Sequence, residues 1–127
     1  MTRFLVDTHA LLWFIDGDKR CTVAAREAIR TPHAERLVSA ASIWELAIKS
    51  SSGRLDLPEN HLALVADEGF SFLSVVPEHA WANRSLPVRR DHKDPFDRMI
   101  AAQALCEEIP VISADPSFDG YGVQRIW

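Results

Sequence analysis

Short apolar runs alternate with longer amphipathic stretches along the chain, and most runs end on a polar residue or a turn former. Residues 3–6 predict a buried strand that stops at Asp7, and residues 8–15 a helix that Gly17 helps to stop. Residues 22–30 predict a second helix with Thr22 as its N-cap, broken by Thr31-Pro32. A strand at 36–39 and a helix at 41–51, closed by Gly53, come next. Residues 55–57 read as a short extended piece ended by Pro58. A helix at 59–68 ends at Gly69, and 72–76 reads as the third strand, apolar almost throughout. Residues 77–83 predict a helix with proline in its first turn. A charged loop follows at 86–93, and then the longest helix, 94–108. Strands at 110–113 and 123–126 flank a loop at 115–122 that holds a single turn.

Apolar strands alternating with helices predict a parallel sheet covered on both faces, a three-layer α/β/α sandwich with a short parallel sheet. The 127 residues predict one domain, 1–127, and carry no internal repeat. In such folds ligands collect outside the carboxyl ends of the strands. The residues that follow the strands are therefore the first place to look for chemistry.

Composition narrows the picture. Hydrophobic content is 47% and formal net charge −4, which suits a soluble core and argues against a general nucleic-acid coat protein. Cys21 and Cys106 lie far apart, with no Cys or His at zinc-ligand spacing, so both are expected as buried small hydrophobes rather than a metal site. The apolar N-terminus carries Asp7 and His9 and lacks a small-residue cleavage site, so no signal peptide is expected. No run of about 18 apolar residues predicts a membrane span, and a cytoplasmic location is the default expectation.

Four acids stand out. Asp7 directly follows the first strand, and Asp115 directly follows VISA in the fourth. Each has an ordinary reading, Asp7 as an N-cap and Asp115 as an Asp-Pro turn. Two strands that each deliver an aspartate to the carboxyl edge are less ordinary. Glu45 sits mid-helix in ASIWELAIKS, either solvent-facing and paired with Lys49 or partly buried among its apolar neighbours. In HKDPFDRMIAAQAL, Asp94 is a good N-cap with Pro95 at the first helical position. Asp97 instead lines up with Ile100, Ala101 and Ala104 on a 3.6-residue period and so should face the sheet. A converging set of Asp7, Glu45, Asp97 and Asp115 would repel itself and raise its own pKa values. A hard divalent cation, Mg²⁺ or Mn²⁺, relieves that repulsion and can activate a water toward a phosphodiester.

Four pieces in order, FLVDTHALLWF, SAASIWELAIKSSSGRLDLP, HKDPFDRMIAAQAL and PVISADPSFDGYGV, cover most of the chain. In these the chain resembles PIN-domain ribonucleases, specifically the toxin component of VapBC-type toxin–antitoxin pairs. The resemblance implies a three-layer α/β/α fold with a parallel sheet and Mg²⁺- or Mn²⁺-dependent endoribonuclease activity. It further implies an antitoxin partner whose C-terminal segment covers the active site, and a homodimer. Residue by residue, the family's acids match Asp7, Glu45, Asp97 and Asp115, and Thr8 matches the hydroxyl residue that follows the first acid. Thr8 would orient that carboxylate or cap the helix, and Asp94 would reach the site as a secondary group.

The remaining candidates are weaker. Arg84, Arg89, Arg90, His92, Lys93 and Arg98 form a basic run that is either a solvated loop or a set of phosphate contacts, of which Arg89, Arg90, Lys93 and Arg98 are the RNA-binding candidates. His9 and His92 are candidate general acids, with a structural or exposed role the favoured reading. The tryptophans Trp13, Trp44, Trp81 and Trp127 read as core or interface anchors. Apolar residues over more than one face of the first helix suggest a partner surface. A non-catalytic PIN-like scaffold that binds RNA or a partner protein is the alternative. A phosphohydrolase with an aspartyl intermediate is disfavoured, because Asp7-Thr8-His9 lacks a second Asp two residues on.

Overall fold

A computed structural model describes residues 2–127, so the expected unit 1–127 begins one residue outside it. Five strands form one parallel sheet in the order β3-β2-β1-β4-β5. They are β1 (Arg3–Val6), β2 (Glu35–Ser39), β3 (Phe70–Leu73), β4 (Val111–Ile112) and β5 (Arg125–Ile126). The helices are α1 (Thr8–Asp16), α2 (Val23–Ile29), α3 (Ala40–Ser51), α4 (His61–Asp67), α5 (Pro77–Ala82) and α6 (Pro95–Glu107). Two 3₁₀ segments, Asn83–Ser85 and Pro116–Tyr121, complete the chain.

Alternation along the strands divides the core. Phe4, Val6, Val38 and Ile112 join Ala10, Leu11, Ala25, Ile29 and Val65 on one face. Leu5, Leu37 and Val111 meet Ile100, Ala101 and Ala104 of α6 on the other. Neighbouring residues of one strand point to opposite faces, so a strand buried on both sides must be apolar throughout. That accounts for the FLV run.

The sheet grows outward from β1 through β2 to β3, then returns to the other side of β1 for β4 and β5. The reversal lies between β1 and β4, and crevices open at such switch points outside the carboxyl ends of the strands. Asp7 follows β1 and Asp115 lies just beyond β4.

Three expectations need correction. The third strand is Phe70–Leu73, not 72–76. Gly69, with φ of 92°, ends the preceding turn so that the strand starts at once. Its ladder stops at Ser39↔Leu73 because Ser39 turns to cap α3, leaving Val75 and Val76 without a partner strand. Cys21 is buried, but Cys106 is exposed near the end of α6. The spare apolar surface of α1 is largely covered by its own chain: Phe14 packs edge-on to Phe70, and Trp13 lies against Trp127 and under Arg20. Large exposed apolar side chains gather elsewhere, among them Trp44, Phe72, Val75, Val76 and Trp81. No helix among the described residues is long and apolar enough to cross a membrane.

Candidate active site at the switch point

Asp7 caps α1 and stands at the carboxyl edge of the sheet. Its Oδ1 accepts the Ala10 amide at 2.8 Å and so starts α1. The register Val6↔Ile112 sets Asp7 beside Ser113, whose buried hydroxyl donates to Asp7 Oδ2. Ser113 Oγ also accepts the Asp115 amide at 3.0 Å, tying the two strand ends together. Burial pushes the Asp7 carboxyl up to about 6. The Ser113 and Ala10 hydrogen bonds oppose that rise, and the charges of Asp115 and Glu45 add to it.

Glu45 is buried in the middle of α3, with both oxygens engaged. Thr8 Oγ1 lies 2.8 Å from Glu45 Oε1 and 3.0 Å from Ser42 Oγ. Thr8 has one hydroxyl proton and an ionised carboxylate can only accept, so that proton goes to Glu45 and Ser42 supplies its own to Thr8. Lys49 Nζ holds Glu45 Oε2 at 2.8 Å. The pairing with Lys49 and the burial, posed as alternatives, are therefore both present. Thr8 orients Glu45 rather than Asp7.

On α6 the two aspartates divide as their spacing predicts. Asp94 Oδ1 accepts the amides of Phe96 and Asp97 at 2.9 and 3.1 Å, which makes Asp94 the N-cap. Asp97 points inward at the site end of the face that carries buried Ile100, Ala101 and Ala104. Burial first, then the Asp94 charge, push its carboxyl up to about 6; Asp7 adds to the rise and a hydrogen bond from His92 opposes it. Asp115 lies at the head of the 3₁₀ segment, where its Oδ1 accepts the Ser117 amide at 2.9 Å.

His92 is the residue that sequence reasoning undervalued. Its Nε2 lies 3.2 Å from Asp97 Oδ2 and 3.9 Å from Asp115 Oδ2, and its Nδ1 is 2.6 Å from the Tyr121 hydroxyl. One donor atom from each of His92, Asp97 and Asp115 falls within 4.8 Å of the others. Nothing in HKDPFD separates such a histidine from a solvated one, because its place is set by Tyr121, 29 residues away. Ser113 and Ser42 were also missed. Their signal is faint but real: each is a hydroxyl set among apolar neighbours, and each is fully buried. His9 is exposed on α1.

The basic run splits into two kinds. Arg89 donates to the Ser117 carbonyl at 2.6 Å and to Asp91 at 3.1 Å. Arg98 donates to the carbonyls of Pro87 and Asn83 at 2.8 and 3.3 Å. Both guanidinium groups lie over the Tyr121 ring, at 5.4 and 5.6 Å. They brace the loop that carries His92. Arg90 and Lys93 are exposed and have no side-chain partner among the described residues.

The donor set is chemically suited to a hard divalent cation. It is rich in carboxylate oxygen, it contains no thiolate, and two of its members carry raised pKa values from burial beside like charge.

The family model of the PIN domain matches residues 4–123. No curated protein matches the chain in sequence. Among solved structures, the chain is similar to the VapBC2 complex of Rickettsia felis bound to a promoter DNA fragment, at TM-score 0.74 and 10% identity over 98% of this chain and 97% of that one. It is similar to DNA-bound VapBC of Salmonella typhimurium at TM-score 0.71 and 20% identity, over 98% and 97% of the two chains. It is also similar to VapBC-1 of nontypeable Haemophilus influenzae at TM-score 0.65 and 16% identity, over 98% and 96%.

Proposed function

The chain belongs to the PIN-domain family, and we propose that it is a metal-dependent endoribonuclease that acts as the toxin of a type II toxin–antitoxin pair. This reading is supported by the placement of Asp7, Glu45, Asp97 and Asp115 about the β1/β4 switch point, with Asp7 and Asp97 raised to about 6, first by burial and then by neighbouring carboxylates. A protein does not keep such an arrangement for stability. It suits a site whose charge is balanced by something bound.

Asp7 and Asp97 are the main ligands for Mg²⁺ or Mn²⁺, with Asp115 and Glu45 completing the cage or ordering its waters. Once bound, the cation supplies positive charge to the scissile phosphate and acidity to a nearby water. The protein's own groups set the geometry. Ser113 fixes Asp7, Thr8 and Lys49 fix Glu45, and Tyr121 fixes His92, which holds a proton on Nε2 toward Asp97. Lys93 and Arg90 are the basic groups available to RNA phosphate, while Arg89 and Arg98 shape the loop. The similar structures are toxin–antitoxin complexes, which supports an antitoxin as partner. A homodimer and a cytoplasmic location belong to the same reading.

Purified protein, freed of any partner, is to be incubated with total RNA in Mg²⁺ and in chelator. Fragments that appear only with the cation are expected. Absence of Mg²⁺-dependent cleavage of any RNA overturns the reading.

A further inference from the structure

Beside the acids, a groove of about 570 Å³ runs between α3, α5 and α6. Trp44, Val75, Asn83, Lys93, Phe96 and Met99 line most of it. Two of these are chain neighbours of the acids: Trp44 precedes Glu45, and Phe96 precedes Asp97. Consecutive residues on a helix lie about 100° apart, so turning Glu45 and Asp97 inward sets the two aromatic rings on the adjoining wall. The rings meet edge to face, with centroids 5.2 Å apart and planes at 75°. Phe96 thereby fixes the orientation of a tryptophan that remains 63% exposed. An indole left largely open to solvent, beside a cluster of acids, is an uncommon use of the largest apolar side chain.

The groove's polar groups are few and differ in kind. Lys93 stands at the rim, exposed and without a side-chain partner among the described residues. Asn83 donates its amide protons to the His79 carbonyl at 3.1 Å and to Met99 Sδ at 3.5 Å. The His79 carbonyl cannot face another acceptor, so the amide orientation is settled and Oδ1 is left free to accept. Among the lining residues, that oxygen is the one strong side-chain acceptor.

Resting on the nuclease reading, we propose that this groove takes an unpaired base of the RNA next to the scissile phosphate. The base stacks on Trp44, its exocyclic amine donates to Asn83 Oδ1, and Lys93 holds the adjoining phosphate. An apolar slot with an aromatic face, one amide acceptor, Lys93 at its mouth and Arg98 in its wall matches a nucleotide in shape and charge. Adenine and cytosine present an exocyclic amine on the edge where uracil presents a carbonyl, so the groove favours A or C over U. Trp44 and Asn83 are thus specificity-determining residues.

The test uses labelled single-stranded RNA oligonucleotides of A, C or U, read both as binding without divalent cation and as cleavage with Mg²⁺. Trp44→Phe, Trp44→Leu and Trp44→Ala are compared with wild type, with circular dichroism as the folding control. Phe should retain most binding. Leu and Ala should raise KM roughly ten- to a hundredfold, with a smaller effect on kcat and the same Mg²⁺ midpoint. Asn83→Leu removes the acceptor and should erase the preference for A and C over U, while binding that still rests on Trp44 persists. Lys93→Gln should weaken all oligonucleotides alike and flatten the salt dependence. Cleavage with unchanged KM in Trp44→Ala overturns the base pocket and leaves the nuclease intact. Binding that needs Trp44 without any cleavage keeps the pocket and sinks the nuclease. If Trp44→Leu binds as tightly as wild type, or if Trp44→Ala alters only self-association, the groove is an apolar protein-docking surface and the proposal fails.

Discussion

Strand β1 carries a charged residue at each end, and the two ends are treated in opposite ways. At its amino end Arg3 pairs with Glu35 at 3.2 Å and with Glu107 at 3.3 Å, and Glu107 in turn meets the buried ring of His79 at 3.3 Å. Both acids there face the Arg3 guanidinium, and the Glu107 carboxyl is held below its usual range, by His79 first and Arg3 after it. At the carboxyl end, one residue beyond the same strand, Asp7 is buried near Asp115, Glu45 and Asp97, and burial pushes its carboxyl up. Similar residue types, a few residues apart, are spent on stability at one end and withheld from it at the other. The difference locates function better than the presence of acids does, because unbalanced buried charge persists only where something else gains from it.

The largest effect should come from removing one charge at the frustrated end. Asp7→Asn keeps the side-chain shape and the cap to Ala10. It should cut RNA cleavage by more than the ~10–100-fold typical of loosening an outer partner of a metal ligand. The same substitution should stabilise the metal-free fold at neutral pH. Raising a carboxyl from 3.8 to about 6 costs ~3 kcal/mol there as an upper value, since neighbouring acids share the strain. Cleavage assays and urea unfolding in chelator would measure both. An Asp7→Asn protein that is less stable and still active would break the contrast between the ends.

The next effect is a pH dependence with a defined sign. Asp7 and Asp97 have higher pKa values folded than unfolded, so the native state binds protons more readily. Their contribution to stability is fully present below about 3.8 and is lost as pH rises through about 6. A cation competes with those protons. Added Mg²⁺ should therefore raise the melting temperature clearly at pH 7.5 and hardly at all near pH 4.5. Melting curves with and without Mg²⁺ at both values would check this; an equal shift at both would show that these carboxylates are not the ligands.

How much of this was legible in the chain follows from the range of each determinant. Asp7 and Asp115 were readable because each directly follows a run of buried apolar residues, and a parallel sheet delivers all such positions to one edge. Asp97 was readable from helical phase alone, and its separation from the cap Asp94 needed only a count of three residues. The third strand was misplaced because its end is set by its neighbour: β2 stops pairing where Ser39 begins to cap α3, and Val75 and Val76 look strand-like without any ladder to join. His92 was undervalued for a similar reason. A loop histidine acquires its role from Tyr121 and from the two arginines that lie over that ring, and no local pattern encodes the meeting.

A smaller effect tests whether the site end is held in place by its hydroxyl groups. Thr8→Val removes the donor to Glu45 Oε1 and leaves Ser42 without its partner, while the side-chain volume stays close. Activity should fall ~10–100-fold, largely recoverable at higher Mg²⁺, because a ligand is loosened rather than removed. Stability should fall by only ~1–3 kcal/mol, the cost of a buried polar group left without a partner. A Thr8→Val enzyme with wild-type Mg²⁺ dependence would mean that Glu45 is positioned by Lys49 and packing alone.

The smallest effect lies at the other end of β1, and its sign matters more than its size. Glu107 has its pKa lowered in the folded state, so its contribution is present above the unfolded value and is lost as pH falls through the folded one. That slope is opposite to the slope of Asp7. Glu107→Gln should destabilise by no more than ~1 kcal/mol at pH 7, since the pair with Arg3 is only half-buried and exposed pairs contribute little. The deficit should shrink as pH drops below about 4, where wild type loses the same charge. Cleavage should be unchanged, because nothing at this end touches the acids. Urea midpoints of wild type, Glu107→Gln and Asp7→Asn, followed from pH 8 down to about 3, would then diverge in opposite directions. Two carboxylates tied to one short strand would be separated by the sign of their pH dependence, and a parallel drift of both variants would mean that the ends of β1 are electrostatically alike.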